Sequence, residues 1–504
     1  METNEKKQNG LKKSLGIIFV YTVATGSIFT YVSYWDSVFF SDCGAGTFLA
    51  FALMVLAILP IALVYSELSP MFHTSGGELI YNTVGMNKHV GFFASWLIMA
   101  AWIAVPPAVC MAIPTFIVKI LGILGVQFTM PIWAIVLIGL GILLLVFFMS
   151  LQNITFLVKI QAGCLFANIA TTLGTAIALF ASGHWSWANV TSGLFKSLNT
   201  SLWGNEIVDS FAWLIGMALL ITPFFGFETV PQMVEEGDFP SNNSKKAICG
   251  SVITCGSIYA IFFFAVAGIL PFDQVKDMLT PVAEGAAAAT EFSGCAADGF
   301  LTLNIMHSLD GAGVVGGWTI WATIYGFISV FLGMSASILG FWMSIVRMLY
   351  SMGKKNFLPE QFTKVNKHQQ PVLPNIFLLG VSFIFVILQI FLPDFMSNFF
   401  NLMSFGCACA YAITMVSSII IHQKHKDWYK DNKNTLKTGN FMRVLAALIM
   451  ITIAVFCTLG QGWQSWVCFG LYLLIGVGIW LWMVLVRWKK SKVVIETPDG
   501  LQEF

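Results

Sequence analysis

Long apolar stretches that are almost free of charged residues recur along the whole chain. A helix of about 20 such residues crosses the hydrocarbon core of a bilayer. Twelve stretches have this length and composition: 14–35, 43–66, 90–118, 131–150, 160–181, 210–230, 247–270, 318–346, 374–393, 395–421, 444–462 and 465–486. The sequence therefore predicts an all-α integral membrane protein with twelve transmembrane helices in a lipid bilayer.

The charged residues are few, and their distribution predicts the topology. Only 10% of the 504 residues are charged and the net charge is +1, so no basic surplus indicates a nucleic-acid partner. With the N-terminus in the cytoplasm, 23 of the 26 lysines and arginines fall on the cytoplasmic side, as the positive-inside rule requires. Lys119, Lys196 and Lys276 fall on the outer side. Both termini are therefore predicted to be cytoplasmic.

Motifs of enzymes, channels and metal sites are absent from the sequence. It contains no HExxH, GxSxG or GxxxxGK[ST] pattern. It shows neither the repeated filter-like loop nor the ring of like charges that a channel needs. The ten cysteines lack metal-ligand spacing, although a disulfide between Cys43 and Cys295 on the outer side stays open. We therefore expect no enzyme activity, no cofactor and no bound metal.

Two loops are long enough to hold structure of their own. Residues 67–89 mix apolar and polar positions, which predicts a short interfacial helix on the cytoplasmic side. Residues 271–317 are acidic and contain the alanine-rich GAAAAT. This outer loop is either a short helix that caps the outer mouth or a solvated loop without a role.

Two predicted spans contain residues that break helices. The first span holds ATGSIF at 24–29, and the sixth holds Pro223 with FFGFE at 224–228. Irregular backbone inside a bilayer survives only where it lines a cavity within the protein. Broken helices at corresponding places in two halves of a chain mark the central site of inverted-repeat transporters. For ATGSIF the alternative is tight packing of small residues between helices.

The chemistry of such breaks suits a zwitterion. Amides freed at the start of a half-helix attract a carboxylate, whereas freed carbonyls beside a carboxylate such as that of Glu228 attract an ammonium group. An amino acid satisfies both ends. Acidic residues inside a membrane are usually functional, and the alternative for Glu228 is an interfacial residue that neutralises a lysine.

Two further residues within the spans are candidates. Lys159, near the cytoplasmic start of the fifth span, is either an interfacial lysine whose amine reaches the membrane surface or a buried amine that gains and loses a proton during transport. Trp102 lies within the third span, ahead of Pro106 and Pro107. Its indole either packs among helices or forms an aromatic wall of a substrate cavity.

Four segments carry a family resemblance. They are TGSIF at 25–29, ELSPMFHTSGGELIYNTVG with GFFASW within 67–96, FFGFETVPQMVEEGDFPSNNSKKAI at 224–248 and RMLYSMGKKNFLP at 347–359. In order and separation they resemble the first-helix GSGIF, the second-to-third-helix signature, the sixth helix with its following loop, and the loop after the eighth helix of the amino acid, polyamine and organocation transporters. This family has the fold of the bacterial leucine transporter.

The resemblance implies a 5+5 inverted repeat with discontinuous helices 1 and 6, followed by two C-terminal helices, and transport by alternating access. The implied organisation is a cytoplasmic tail at 1–13, a transport core at 14–422 with repeats 14–181 and 208–422, a cytoplasmic loop at 423–443, helices 11 and 12 at 444–487, and a cytoplasmic tail at 488–504.

The resemblance also implies site residues. Backbone of the first helix would bind the substrate carboxylate and backbone of the sixth would bind its amino group, with Phe224 or Phe225 as gate. The candidate substrate-binding residues are Ala24, Thr25, Gly26, Ser27, Ile28, Trp102, Phe224, Phe225, Gly226, Phe227 and Glu228. Lys159 and Glu228 are the candidates for proton coupling, and Ser335 and Ser337 lie near the place that Lys159 would fill instead of a sodium ion.

The sequence departs from the family pattern in ways that concern the substrate. Thr25 and Ser27 replace the flanking glycines of GSGIF, and Thr222 stands where the arginine/agmatine antiporter has a gating tryptophan. The predicted function is secondary transport of an amino acid or a related amine across the inner or plasma membrane, driven by protons or a counter-substrate and independent of sodium. The alternatives are a carrier of polyamines, ethanolamine or another organocation, and a nutrient receptor that does not transport.

Overall fold

The computed structural model describes residues 11, 13–29, 35–126, 128–283, 288, 290, 292–311, 313–392, 395–459 and 461–504. The α-helices are α1 Ile17–Ile28, α2 Asp36–Cys43, α3 Thr47–Leu68, α4 Gly77–Gly85, α5 Lys88–Ile123, α6 Ile132–Ser150, α7 Ile154–Phe180, α8 Trp187–Ser192, α9 Asp209–Leu219, α10 Val230–Met233, α11 Ser244–Ala267, α12 Phe272–Leu279, α13 Leu301–Asp310, α14 Gly317–Ile328, α15 Met334–Lys354, α16 Val372–Phe391, α17 Phe395–Lys424, α18 Phe441–Thr458, α19 Trp463–Trp482 and α20 Trp488–Lys490. Two antiparallel hairpins pair β1 Ser201–Leu202 with β2 Asn205–Glu206, and β3 Val494–Thr497 with β4 Gly500–Glu503.

Eleven helical segments among the described residues are long and apolar enough to cross a membrane. Helix α1, with 12 residues, is apolar but shorter than a full span. The predicted helical membrane architecture is confirmed, and the count of twelve spans stays a prediction. The spans differ in burial, because 83% of the most apolar window of α5 is buried in the bundle but only 22% of that of α6. Helix α5 is therefore central, and α6 presents its apolar side chains to lipid.

The sixth predicted span is interrupted, as the sequence predicts. Helix α9 ends at Leu219, and single turns of 3-10 helix at Thr222–Phe224 and Phe227–Thr229 precede the short α10. Between these turns Gly226 has φ of 139°, a backbone conformation that side chains with a Cβ rarely adopt. The chain therefore changes direction at the glycine of FFGFE.

The helix of the first predicted span ends within the predicted segment 24–29, at its last residues. Helix α1 continues through ATGSI and is followed by its C-cap residue Phe29, whose amide donates to the Thr25 carbonyl at 2.7 Å. The hydroxyls of Thr25 and Ser27 donate to carbonyls four residues earlier in the same helix, at 2.7 and 2.9 Å. Such back-bonds occupy the hydroxyls within the helix, although they weaken it slightly. The helix therefore continues through Thr25 and Ser27 and ends at Ile28, so the break lies at the end of the predicted segment 24–29.

Helix α1 lies at the centre of the bundle. It packs against α7, α11 and α15 and against the turn Phe227–Thr229. Residues 24 to 28 are all buried. The bundle thus places the end of α1 beside the interruption that follows α9.

Segments around both ends of the chain meet on one side of the bundle: residues 14–15, 69–76, 234–243 and 492–504. We call this side the basic face after the residues that bind these segments from neighbouring helix ends, Lys88, Arg347, Lys354 and Lys355. The carbonyl of Glu236 accepts the amide of Leu15 at 3.0 Å. On this face Arg347 of α15 forms a buried ion pair with Glu236, with 2.5 Å between Nε and Oε2. Lys354 pairs with Glu235 at 2.6 Å in a more exposed position. These pairs join α15 to the segment that follows α10.

The C-terminal residues form a hairpin on the basic face. Val493 and Ile495 are fully buried. The Lys88 amine at the start of α5 donates to the Phe504 carbonyl at 3.0 Å, and Asn356 donates to the Lys492 carbonyl at 2.9 Å. The segment 488–504 is therefore packed structure that ties the ends of α5 and α15 together.

The opposite side carries the loop 271–317. Its helix α13 is capped by Asp36 of α2, whose buried carboxylate accepts the amides of Leu301 at 2.9 Å and Thr302 at 2.7 Å. Most of GAAAAT lies outside the described residues, so a helix there stays a prediction. Cys43 and Cys295 are both free thiols, which excludes the disulfide between them in this structure.

Candidate functional site

Glu228 is the centre of a closed polar site. Its side chain is fully buried. Oε2 accepts the amide of Gly226 at 2.8 Å, and Oε1 accepts the indole N–H of Trp102 at 3.0 Å. Trp102 is itself fully buried on α5, so the structure brings together two residues that the sequence proposes for the site. Within the described part of the chain no lysine, arginine or histidine forms an ion pair with this carboxylate.

Gly226 lies directly against the end of α1. A Cβ built on Gly226 would lie 2.7 Å from the Cβ of Ser27 and 2.9 Å from the amide nitrogen of Ile28. Real Cβ contacts are not this short, so only glycine permits the approach. The two helix ends that the sequence pairs by resemblance therefore touch through backbone at the same level as Glu228.

The end of α1 presents carbonyls to this site. The amides of Thr25, Gly26, Ser27 and Ile28 belong to the continuous helix. The Ile28 carbonyl accepts the hydroxyl of Tyr259 at 2.5 Å. A helix C-terminus carries partial negative charge, so the described part of this end does not offer the carboxylate-binding amides that the resemblance implies. Ala24, one turn earlier, is buried in the same helix.

Aromatic rings form one wall of the site. The Phe227 ring lies 5.4 Å from that of Tyr65 and 5.5 Å from that of Tyr411, centre to centre. Phe225 is farther from Tyr411, at 6.3 Å, and Phe224 packs beside Phe51 instead. Phe227 thus borders the polar centre more closely than the two phenylalanines predicted as a gate.

Thr222 stands beside a small cavity on the side of the bundle opposite the basic face. Its hydroxyl hydrogen-bonds Ser404 and the Leu219 carbonyl. The cavity has a volume of about 100 Å³, and Trp35, Asp42, Thr222, Pro223 and Ser404 are among its lining residues. It approaches the interruption from outside without reaching the buried Glu228.

Lys159 is not part of this site. Its side chain is exposed, which contradicts the hypothesis of a buried amine, and the alternative of an interfacial lysine stays a prediction. Residues two apart on a helix point about 200° apart, and Gln161 is one of the buried residues of α7. Its Nε2 donates to the Ala336 carbonyl at 2.8 Å and lies 3.0 Å from a Cβ built on Gly26.

The two predicted serines of α15 differ in their surroundings. Ser337 is fully buried, and its hydroxyl has no hydrogen-bond partner among the described residues. Ser335 is half-buried and donates to the Phe331 carbonyl of its own helix. Of the two, only Ser337 is available to a ligand near the Gln161 side of α1.

Sequence reasoning missed a second buried carboxylate, that of Glu78. It belongs to GGEL at the start of α4, which the sequence predicts only as an interfacial helix. Glu78 is fully buried, and its Oε2 accepts Nε2 of Gln232 at 3.1 Å. Burial, and then the nearby charge of Glu228, raise the pKa of Glu78 to about 8. The pair of glycines before it could have signalled a close backbone approach.

A buried lysine on the basic face was also missed. Lys355 follows α15, and its amine donates to the Ser75 carbonyl and to the Ser351 hydroxyl, both at 2.8 Å. Burial lowers the pKa of this amine to about 7. It holds the turn before α4 against the end of α15.

The arrangement can bind a cationic group without metal chemistry. The carboxylate of Glu228, the negative end of α1 and the faces of Tyr65, Phe227 and Tyr411 all favour a positive charge. Among the described residues no group of three His, Cys, Asp or Glu side chains is placed to hold a metal ion.

Known proteins are similar in sequence to this chain along most of its length. A family model described as amino acid permease matches residues 13–480. The chain is 21% identical to the branched-chain amino acid permease BcaP of Bacillus subtilis, over 94% of this chain and 93% of that protein. It is 24% identical to the glutamate/serine transporter AimA of the same organism, over 88% and 77%, and 23% identical to its gamma-aminobutyric acid permease, over 90% and 88%. The chain therefore belongs to the amino acid permease family of the amino acid, polyamine and organocation superfamily.

Proposed function

We propose that the protein is a secondary transporter that moves an amino acid or a closely related amine by alternating access. The observation that carries the proposal is the fully buried Glu228 at the point where the end of α1 touches Gly226. A charge buried in this way costs several kcal/mol unless a ligand or a proton compensates it. Among the described residues Glu228 has no exposed surface, so the site is closed in this conformation.

The substrate ammonium group is proposed to bind Glu228. The carboxylate keeps one hydrogen bond from Gly226 and one from Trp102, which leaves lone pairs for a further donor. The α-carboxylate of an amino acid would be held by groups other than the amides of 25–28, which the α1 helix uses. Phe227, Tyr65 and Tyr411 would cover the aliphatic part of the ligand.

The partial negative charge at the C-terminal end of α1 favours a second candidate substrate, an organocation such as a polyamine or ethanolamine. Such a ligand needs no carboxylate site. The relatives named above are a branched-chain amino acid permease, a glutamate/serine transporter and a γ-aminobutyrate permease, and on that ground amino acid transport is the first candidate.

The driving force is proposed to be protons or exchange of a counter-substrate, without sodium. Glu228 supports proton coupling, because a carboxylate in a dry site is neutralised by a proton when no cation is bound. With Lys159 exposed, sodium independence rests on the family resemblance alone. Replacement of sodium by choline in an uptake assay tests it directly.

The membrane organisation is part of the same proposal. It comprises twelve spans with α1 as a half-helix of the first, a 5+5 inverted repeat over 14–181 and 208–422, helices 11 and 12 at 444–487, and both termini in the cytoplasm of a cell with this protein in its plasma membrane. The placement of Leu15 and the C-terminal hairpin on the same basic face supports a common side for both termini.

Purified protein in liposomes tests the function. A thermal-shift screen comes first, since a ligand that binds the folded state raises its stability with the logarithm of saturation. The panel contains branched-chain, acidic, cationic and hydroxyl amino acids, γ-aminobutyrate, ethanolamine and putrescine. Each hit is then tested as a labelled compound in exchange and in net uptake. Transport is refuted in favour of a receptor if a compound binds but is never exchanged or accumulated.

A further inference from the structure

Glu78 and Glu228 are two buried carboxylates in one unpaired network. Both are fully buried, and the ion pairs formed by described residues use other carboxylates. The two are joined by short contacts: Gln232 of α10 donates to Glu78 at 3.1 Å, and the ring of Phe227, next to Glu228, lies 5.4 Å from that of Tyr65. Burial, and then the charge of Glu228, raise the pKa of Glu78. Two carboxylates that interact in a dry site do not both stay ionised. Without a ligand, one proton therefore has to be held between them.

The surroundings of Glu78 contain unused hydrogen-bonding groups. Its Oε1 has no partner among the described residues, and the same holds for the buried hydroxyls of Tyr65 and Tyr411. Tyr65 of α3 lies beside Glu78, and Tyr411 of α17 is close enough to interact electrostatically with both carboxylates. The Tyr65 hydroxyl can donate to Oε1 when Glu78 is ionised and can accept from it when Glu78 is protonated.

Among the described residues, no lysine, arginine or histidine is a partner of Glu78. Tyr81 of the same helix and Cys407 of α17 are the further titratable groups that interact with it. Gln232 of α10 donates to Oε2 at 3.1 Å. A neutral amide and neutral hydroxyls satisfy a carboxylic acid as well as a carboxylate, so the site tolerates both states.

Glu78 and Glu228 differ in the number of N–H groups that donate to their carboxylates. Glu228 accepts two N–H groups, from Gly226 and Trp102, which favour its ionised form. Glu78 accepts one, from Gln232, and keeps one oxygen unused. A single proton shared by the pair is therefore held better on Glu78, while Glu228 stays charged for an ammonium group.

Glu78 also lies closer to the basic face. It follows Gly76 and Gly77, and a Cβ built on Gly77 would lie 2.7 Å from Nε2 of Gln232. The preceding Ser75 is held by Lys355 through its carbonyl at 2.8 Å. Movement of this turn away from α15 would expose the carboxyl to the solvent on that side.

We propose that Glu78 is the proton-carrying residue of the transport cycle: it binds one proton from the basic face, becomes a neutral carboxylic acid, and so leaves Glu228 ionised for the substrate amine. The proton adds to Oε1, and one negative charge disappears from the site. When the site opens and the substrate leaves, the same O–H bond breaks and the proton returns to water. This inference rests on the proposed function, since it assigns the proton of the same site.

The test compares wild-type protein with Glu78→Gln in liposomes that contain a pH-sensitive dye. The probes are the labelled amino acids of the panel that the wild type exchanges. Glu78→Gln is expected to keep exchange within about threefold of wild type, since the amide mimics the protonated state, but to lose accumulation driven by a pH gradient and the accompanying dye signal. The exposed Glu206→Gln is the matched control for loss of a carboxylate, and it should behave as wild type.

Several outcomes overturn the inference. It is wrong if Glu78→Gln moves as many protons per substrate as wild type. It is also wrong if wild-type uptake depends on sodium and Glu78→Gln abolishes that dependence while proton movement is unchanged. If Glu78→Gln does not fold, Glu78→Asp replaces it and is expected to shift the pH midpoint of coupled uptake, so an unchanged midpoint overturns the inference. If the wild type transports amino acids without protons, only this inference fails. If it transports none, the proposed function fails with it.

Discussion

Replacement of Arg347 by methionine is expected to lower the free energy of unfolding by about 3–5 kcal/mol. The guanidinium is 1% exposed and the Glu236 carboxylate 0%. The change removes two hydrogen bonds to the Glu236 carboxylate, Nε to Oε2 at 2.5 Å and Nη2 to Oε1 at 2.9 Å. It also removes one from Nη2 to Gln370 at 3.1 Å and one from Nη1 to the Met343 carbonyl at 3.2 Å. Most of the cost comes from the carboxylate that stays buried without a cation, because methionine fills much of the volume that arginine leaves.

Equilibrium unfolding in mixed micelles, followed by tryptophan fluorescence, measures this effect. The double variant with Glu236→Leu should recover most of the loss, since an apolar pair replaces a buried ion pair without a desolvation cost. Lys354→Met is the control, because its pair with Glu235 has exposures of 44% and 13% and should contribute at most about 1 kcal/mol. The reasoning is refuted if Arg347→Met costs less than this control, or if the double variant is as unstable as the single one.

Three further predictions concern the site. Gly226→Ala should cost about 2–5 kcal/mol through backbone strain and overlap with α1, whereas Gly163→Ala, which meets open space, should be neutral or slightly stabilising in the same unfolding assay. Trp102→Phe removes the N–H donor from the central carboxylate, a loss of about 1.5–3 kcal/mol, and should lower transport at least tenfold with normal expression; wild-type uptake would contradict the assignment. Lys159→Ala should leave uptake within about twofold because the side chain is exposed, whereas Gln161→Ala should reduce it more, and the reverse order would refute the placement of these residues on α7.

The sequence was sufficient to predict the helical membrane architecture and the interruption of the sixth span. Long apolar stretches and helix breakers such as Pro223 and Gly226 act locally, so their effect is readable without tertiary contacts. Glu228 was found for a similar reason, because a carboxylate inside an apolar stretch is costly wherever it lies. Trp102 was a candidate only from its position in the third span, and its 3.0 Å hydrogen bond to Glu228 is seen only in the fold.

The errors came from features that depend on neighbours. Thr25 and Ser27 have low helix propensity, but both lie within α1 with their hydroxyls bonded back to the helix, and the helix ends only at Ile28, at the end of the predicted segment. Lys159 was placed by motif, although only the rotation of α7 decides whether it or Gln161 faces α1. Glu78 was overlooked because a glutamate in a polar loop looks exposed until the loop folds into the bundle.

The contact between Gly226 and the end of α1 has a consequence for ligand selectivity. Because the two backbones meet without a side chain between them, a Cβ on Gly226 would collide with Ser27 and Ile28, and a ligand has to separate both helix ends to enter. A ligand shifts a conformational equilibrium only by as much as it binds one state better than the other. A compound that contacts only one helix end gains too little binding free energy to hold the end of α1 and Gly226 apart. Selectivity then depends mainly on whether a ligand carries two groups that bind the two helix ends, and ligand size matters less. An analogue with only one such group would occupy the site without driving the transport cycle and would act as an inhibitor.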